Sequence, residues 1–155
     1  MRFLPLILLL AASCSKEEAP PDIGQTKTAI RELIEKYHAA GDAASDKPDN
    51  VEVMVSLLTP DATMFRGAEE FARGIDECRQ ELVTRVSKYK GQARRTFLAS
   101  VTIEPIGDMA VATYVASVGT LHAPITAVFR RTQGKWAIKH LHESWSSIVP
   151  EKPSK

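Results

Sequence analysis

Cysteine is nearly absent from these 155 residues: there are two, Cys14 and Cys78. A small secreted domain held together by disulfides carries more, so that architecture is excluded. Cys14 closes an apolar run near the N-terminus. Cys78 falls inside a predicted helix, where it is expected to pack as a free, buried thiol without the cationic neighbour that would make it reactive. Aromatic residues are also few (Phe 5, Trp 2, Tyr 3). Charge of one sign is missing as well, with 20 Lys and Arg against 19 Asp and Glu. A nucleic-acid partner would call for a basic stripe that neutralises phosphates. The sequence offers only the isolated pairs Arg94-Arg95 and Arg130-Arg131, whose members point to opposite faces if they lie on strands. No apolar run approaches the ~20 residues that cross a bilayer, and no internal repeat is present. What remains, 44% hydrophobic and 25% charged residues, is the composition of one packed domain.

The N-terminus reads as a leader. Met1-Arg2 gives a positive start, Phe3 to Ala12 a short apolar core, and Ala11-Ala12-Ser13 a small-residue approach to Cys14. This resembles a bacterial lipoprotein signal, cut before a cysteine that receives acyl chains. Ordinary secretory cleavage at the same small residues is the alternative. Ser15 to Asp22 is polar and proline-rich, as a tether is. The expected organisation is a signal peptide over 1–13, lipidated Cys14 and tether over 14–24, one domain over 25–148 and a tail over 149–155. The resemblance implies a place in the bacterial envelope, held by the lipid anchor alone. By the same resemblance, Ser15 in place of an aspartate after the cysteine implies the outer membrane, facing the periplasm.

Within the domain, Ala29, Ile30, Leu33, Ile34 and Tyr37 form one helical stripe, with Gly41 as the expected stop. Val53, Met54, Leu57 and Leu58 mark a short second helix, capped by Asp49 or Asn50 and stopped by Thr59-Pro60-Asp61. Ala62 to Arg66 is a strand candidate. Gly74 opens a third helix with Ile75, Cys78, Leu82, Val83 and Val86 on its apolar side, and Gly91 closes it. Four β-rich runs follow at 96–104, 109–119, 125–131 and 135–147. The breaks between them, at 105–108, 121–124 and 133–134, predict an antiparallel meander. Helices followed by strands give an α+β fold: about three helices packed on a strongly curved antiparallel sheet.

Four segments resemble the NTF2-like superfamily, and within it the SnoaL-like branch. They are Tyr37-His38-Ala39-Ala40-Gly41-Asp42, Leu57 to Phe65, Gly74-Ile75-Asp76, and Val128 to Ser144 with its Gln133-Gly134-Lys135-Trp136 turn. The last is also similar to the final hairpin of the association domain of calcium/calmodulin-dependent kinase II. The resemblance spans about residues 25 to 147. It implies a cone with a pocket at its open end and dimers formed through the sheet. Some members of the superfamily are acid–base enzymes, and many others only bind or assemble.

Alternation along the last strand puts Ala137, Lys139, Leu141 and Glu143 on one face and Trp136, Ile138, His140 and His142 on the other. By resemblance to the kinase domain the first set is concave. Pocket arginines of that domain fall on Glu143, Ala116 and Ala127, and its pocket histidine on Cys78, which implies a site that has lost its cations. The expected pocket is roomy and apolar, lined by Cys78, Leu82, Tyr114, Ala116, Ala127, Phe129, Leu141 and Glu143. A lone carboxylate there would have a raised pKa. Tyr37 joins the apolar stripe, His38 is placed at the surface, and Trp145 walls the pocket or packs under a terminus.

The main expectation is a dimeric, non-catalytic envelope lipoprotein that binds a small, mostly apolar ligand without a cofactor. One alternative is an isomerase, lyase or hydrolase with Glu143 as acid or base and Tyr114 assisting. Another is a protein-interaction module that uses the face of His140 and His142. Those two histidines could also supply two zinc ligands, for which a third must converge from elsewhere.

Overall fold

The computed structural model describes residues 22–67 and 70–147. The leader, Cys14, the tether up to residue 21 and the tail from 149 lie outside the described residues. Helix α1 (Ile23–Ala44) starts where the Asp22 carboxylate accepts a 2.9 Å hydrogen bond from the Gln25 N–H. That bond satisfies one of the donors a helix start leaves open. Its stripe of Ile30, Leu33, Ile34 and Tyr37 is buried. Gly41 does not end it. A Cβ there would lie 3.3 Å from Met54 Cε, so this glycine lets helix α2 (Asn50–Ser56) approach closely while α1 continues for another three residues.

Strand β1 (Leu58–Arg66) begins earlier than expected and contains Pro60, which fits because the ladder to its neighbour is interrupted between Leu58 and Thr63. A short edge strand, β2 (Glu70–Arg73), folds back on it; nothing in the sequence pattern announced it. Gly74, at a φ of 79°, makes the left-handed turn into α3 (Gly74–Ser87). Then come β3 (Phe97–Ile106), β4 (Met109–Val118), β5 (Leu121–Thr132), β6 (Lys135–Glu143) and the two-residue β7 (Ser146–Ser147). The meander from β3 to β6 is antiparallel throughout. Its middle turn sits at Gly119-Thr120 rather than at 121–124, and Pro124 lies within β5.

The strand order is β2-β1-β6-β5-β4-β3, with β7 beside β5. β1 runs parallel to β6, so the sheet is mixed rather than purely antiparallel. The α+β class stands, with three helices on the sheet.

One irregularity governs the site. β5 and β6 pair Val128 with His140 but Phe129 with Ile138, which leaves Lys139 as an extra residue. This bulge changes the face that the following side chains occupy. Ile138, Leu141 and Glu143 are all buried, whereas simple alternation put Ile138 outside and Lys139 inside. The expected faces hold from His140 onward and fail before it. Lys139 instead pairs with Asp61 at 2.9 Å on the surface.

The inner face of the sheet is rich in alanine (Ala110, Ala112, Ala116, Ala123, Ala127), with Tyr114, Ile125, Phe129, Ile138 and Leu141 among them. The short side chains leave the room that Ile30, Ile34, Cys78 and Leu82 of α1 and α3 fill.

Candidate functional site

α1, α3 and β6 each run from an apolar interior toward one end of the sheet, and each turns polar at the same level. α1 passes from Ile30 and Ile34 to Tyr37 and His38, α3 from Cys78 and Leu82 to Arg85, and β6 from Ile138 and Leu141 to Glu143. Helix geometry explains the first two runs, since residues at i, i+4 and i+7 share one face. The polar ends meet. Arg85 Nη1 donates to Glu143 Oε2 at 2.8 Å, and Arg85 Nη2 donates to the Tyr37 hydroxyl at 3.1 Å. Trp145 Nε1–H donates to the same Glu143 oxygen at 2.8 Å. The Arg66 guanidinium stands 3.7 Å from that oxygen and faces the Trp145 ring at 5.9 Å. Beside this group, His38 Nε2 and the Tyr114 hydroxyl share a 3.1 Å hydrogen bond, and the His38 ring meets both tyrosine rings edge-on.

Glu143 is only 2% exposed. Burial alone would raise its pKa, but the Arg85 charge and the Trp145 hydrogen bond outweigh that, and its carboxyl titrates below the ordinary value. The expectation of a raised pKa is thereby corrected: it took Glu143 as a lone acid and missed Arg85. Burial likewise works against the Arg85 charge, yet Glu143 and Tyr37 hold the guanidinium firmly protonated. Tyr37 is pushed up to about 12, mainly by burial. His38 is pulled down to about 4, again mainly by burial, so at neutral pH it is an uncharged imidazole. Burial also raises Tyr114 well above its usual range.

A cavity of about 20 Å³ lies among Tyr37, His38, Asp42, Arg85, Arg94 and Glu143, room for roughly one water. Of the eight expected lining residues, Glu143 alone borders it. Tyr114 stands behind His38, one hydrogen bond away. Cys78, Leu82, Ala116, Ala127, Phe129 and Leu141 are packed into the solid core, so the roomy apolar pocket expected around them is filled by helix side chains. Neither are cations lost from this end: Arg85 and Arg94 supply them from positions outside the compared set. Arg85 was legible in the sequence, because Cys78, Leu82 and Arg85 stand at i, i+4 and i+7. His38 was placed at the surface, but it is 9% exposed, since α1 is covered on a wider arc than its aliphatic stripe indicates. Trp145 walls the cavity, one of its two expected places.

Arg94 borders this cavity and also a larger one of about 300 Å³, lined by Tyr89, Gln92, Val118, Thr120 and Leu121. Its guanidinium stacks over the Tyr89 ring at 4.3 Å. Burial, and then the like charge of Arg85, lower its pKa. Asp42, the acid nearest in influence, already accepts from the Thr96 N–H at 2.6 Å and from the Thr96 hydroxyl at 2.7 Å.

His140 and His142 lie on the opposite, outer face. His140 Nδ1 is 2.7 Å from the Thr63 hydroxyl, and His142 stacks edge-on with Phe65. Among the described residues no group of three or more His, Cys, Asp or Glu side chains is placed to hold a metal.

The model of the SnoaL-like domain family matches residues 30–148. No curated protein matches the chain. Among solved structures, an NTF2-like protein of unknown function from Pseudomonas putida KT2440 is 19% identical, with 84% of this chain and 98% of that one aligned at a TM-score of 0.70. A candidate scytalone dehydratase from Novosphingobium aromaticivorans is 14% identical over 80% and 89% of the two chains, at a TM-score of 0.63. A candidate calcium/calmodulin-dependent protein kinase II association domain from Xanthomonas campestris is 17% identical over 79% and 87%, at 0.61. At such identities the likeness is one of fold.

Proposed function

The chain belongs to the SnoaL-like domain family, and from that premise we propose that it binds a small molecule at the open end of the cone without transforming it. The observation that carries this reading is the polar layer: α1, α3 and β6 all place hydrogen-bonding groups at one level around a cavity. A core built for stability would not do so, because a buried ion pair is commonly neutral or worse than well-packed apolar residues. Such groups are what a binding site needs to orient a ligand. The cavity of about 20 Å³ admits little more than water, so a ligand must displace Trp145 or occupy the larger space beyond Arg94. The ligand contacts then include polar ones, in contrast to a purely apolar lining.

One observation favours a second reading, acid–base catalysis. His38 shares a buried 3.1 Å hydrogen bond with the Tyr114 hydroxyl beside the cavity, a donor–acceptor pair that would serve acid–base chemistry if a bound ligand brought the imidazole's pKa back toward neutral. Glu143, ionised and tied to Arg85, suits positioning better than proton transfer.

The reading extends to the whole chain. Cleavage before Cys14 and acylation would hold the protein in the envelope, on the outer membrane facing the periplasm. α1 spans 22 residues, roughly 33 Å at ~1.5 Å per residue, and its far end carries Asp42 at the cavity. The described chain therefore begins, at Asp22, at the end of α1 opposite the site. The outer face of the sheet would pair two copies. Its rows Val111, Val128, His140, Thr63 and Thr113, Thr126, His142, Phe65 run across four paired strands, which makes a continuous, weakly polar surface.

Native mass spectrometry of the full-length chain, expressed in bacteria and released with detergent, tests these points together. A dimer of acylated chains beginning at Cys14, each with a small non-covalent mass, is the expected result. An empty site that turns over small carbonyl or hydroxyl compounds, with the turnover lost in His38→Gln, would establish the enzyme instead. A Thr126→Arg variant should run as a monomer if the outer rows form the dimer.

A further inference from the structure

The Arg94 guanidinium is the one cation of the site that has no carboxylate partner among the described residues. Arg85 is matched by Glu143 at 2.8 Å. Among the described residues Arg94 makes no ion pair, its Nε is buried without a hydrogen-bond partner, and its guanidinium lies over the face of Tyr89. Asp42 gives both carboxylate oxygens to Thr96. A buried guanidinium donor left open is costly, and the donors of an arginine are laid out as a planar fork that fits a carboxylate. Stacking on Tyr89 fixes the plane of that fork. Arg94 also divides the two spaces. On one side is the small cavity bordered by Glu143 and His38, and on the other the space of about 300 Å³ walled by Val118, Leu121 and Tyr89.

We propose that the ligand is an organic carboxylate with an apolar body: its carboxylate is taken by Arg94, and its body lies in the outer space against Val118, Leu121 and Tyr89. This rests on the small-molecule reading above and names its ligand class. It also sets the polarity of binding. Glu143 is an anion held by Arg85, so it repels the acid group from the inner cavity and leaves Arg94 as the anchor. Size follows from the outer space, which suits a body of about four to ten carbon atoms packed at ordinary density.

The test is calorimetric titration of the full chain with butyrate, octanoate and phenylacetate, each against its uncharged amide. At least one acid is expected to bind at least tenfold more tightly than its amide. Arg94→Gln should erase that preference, and Arg94→Lys, which keeps the charge but not the fork, should restore part of it. Neither variant should unfold the domain, because among the described residues Arg94 ties no other element by hydrogen bonds; a small shift in melting is expected as the open donor and the Tyr89 stack are lost together. Equal binding of acids and amides, or an unchanged preference in Arg94→Gln, overturns the carboxylate assignment. If no acid binds while native mass spectrometry still finds a neutral or cationic small molecule on the chain, the carboxylate class falls and the binding reading stands. If no acid binds and the chain carries nothing, both fall.

Discussion

The two halves of the interior between the helices and the sheet are built by the same elements and obey different rules. In the deep half, Ile30, Ile34, Cys78, Leu82, Phe129 and Ile138 interlock with sheet alanines, and any side chain of the right volume would serve. In the mouth half, Tyr37, Arg85, Glu143 and Trp145 satisfy one another through specific hydrogen bonds, and each group is tolerable only because the others are present. The deep half therefore stabilises the fold by burial. The mouth half gains at best little from its charges, because desolvation offsets their attraction. The difference locates the part of the molecule whose residues answer to something other than folding.

The largest effect should come from breaking the mouth asymmetrically. Arg85→Met strands a buried carboxylate and should cost about 3–5 kcal/mol in urea unfolding. Adding Glu143→Met should return stability to that of the unaltered chain or above it, since both charges are then gone. Phe129→Ala in the deep half should cost a similar ~3–5 kcal/mol, and no second polar change should rescue it. If Arg85→Met and the double variant were equally unstable, the mouth would be ordinary core and the distinction would collapse.

Next in size is the acid response of the mouth. His38 falls from 6.5 to about 4 on folding, so between those values the unfolded chain binds the extra proton. Stability attached to His38 is complete above pH 6.5 and is lost as pH falls toward 4, by roughly 3 kcal/mol at ~1.4 kcal/mol per unit. Glu143, depressed from a usual 4.5, contributes its own loss only below that value. Between 6.5 and 4.5 the histidines therefore act without Glu143, and His140, part-buried and also lowered mainly by burial, adds a loss of the same sign there. Denaturant midpoints across that interval should slope in the unaltered chain, slope less in His38→Gln, and lie flat once His140→Gln is added.

Much of this layout could be read from residue patterns, and the exceptions have physical reasons. The stripes of α1 and α3 and the four meander strands follow from local periodicity, which is why the fold class could be anticipated; the inward place of Leu141 and Glu143 was implied only by the resemblance to the kinase association domain. A single inserted residue escapes period-two reasoning, so the bulge at Lys139 reversed Ile138 without a local trace. The parallel pairing of β1 with β6 joins Thr63 to His140 across a long stretch of chain, and no neighbouring residue signals it. Arg85 differs in kind: its spacing from Cys78 and Leu82 puts it on the buried face of α3, but it falls on none of the pocket positions that the resemblance to the kinase domain supplies. The carboxylate's environment could not be known without it.

The smallest effects come from two adjacent residues on β4 that face opposite ways. Tyr114 points inward and holds His38, while Thr113 is exposed on the outer face, paired with Thr126. Tyr114→Phe keeps the ring and removes the hydroxyl, leaving a buried imidazole nitrogen without its partner, at a cost of about 1–3 kcal/mol. Thr113→Lys changes a side chain with no buried contact and should stay within ~0.5 kcal/mol for an isolated chain. The second variant also reads the outer face. If the two outer rows pair copies of the chain, a lysine at their centre sets like charges against each other across the interface. The dimer then dissociates, and the measured loss grows as the protein is concentrated, because only the unaltered chain gains stability from association. A loss that stays small at every concentration would mean that the outer face is simply solvated, and that all the demanding chemistry of this sheet lies on its inner side.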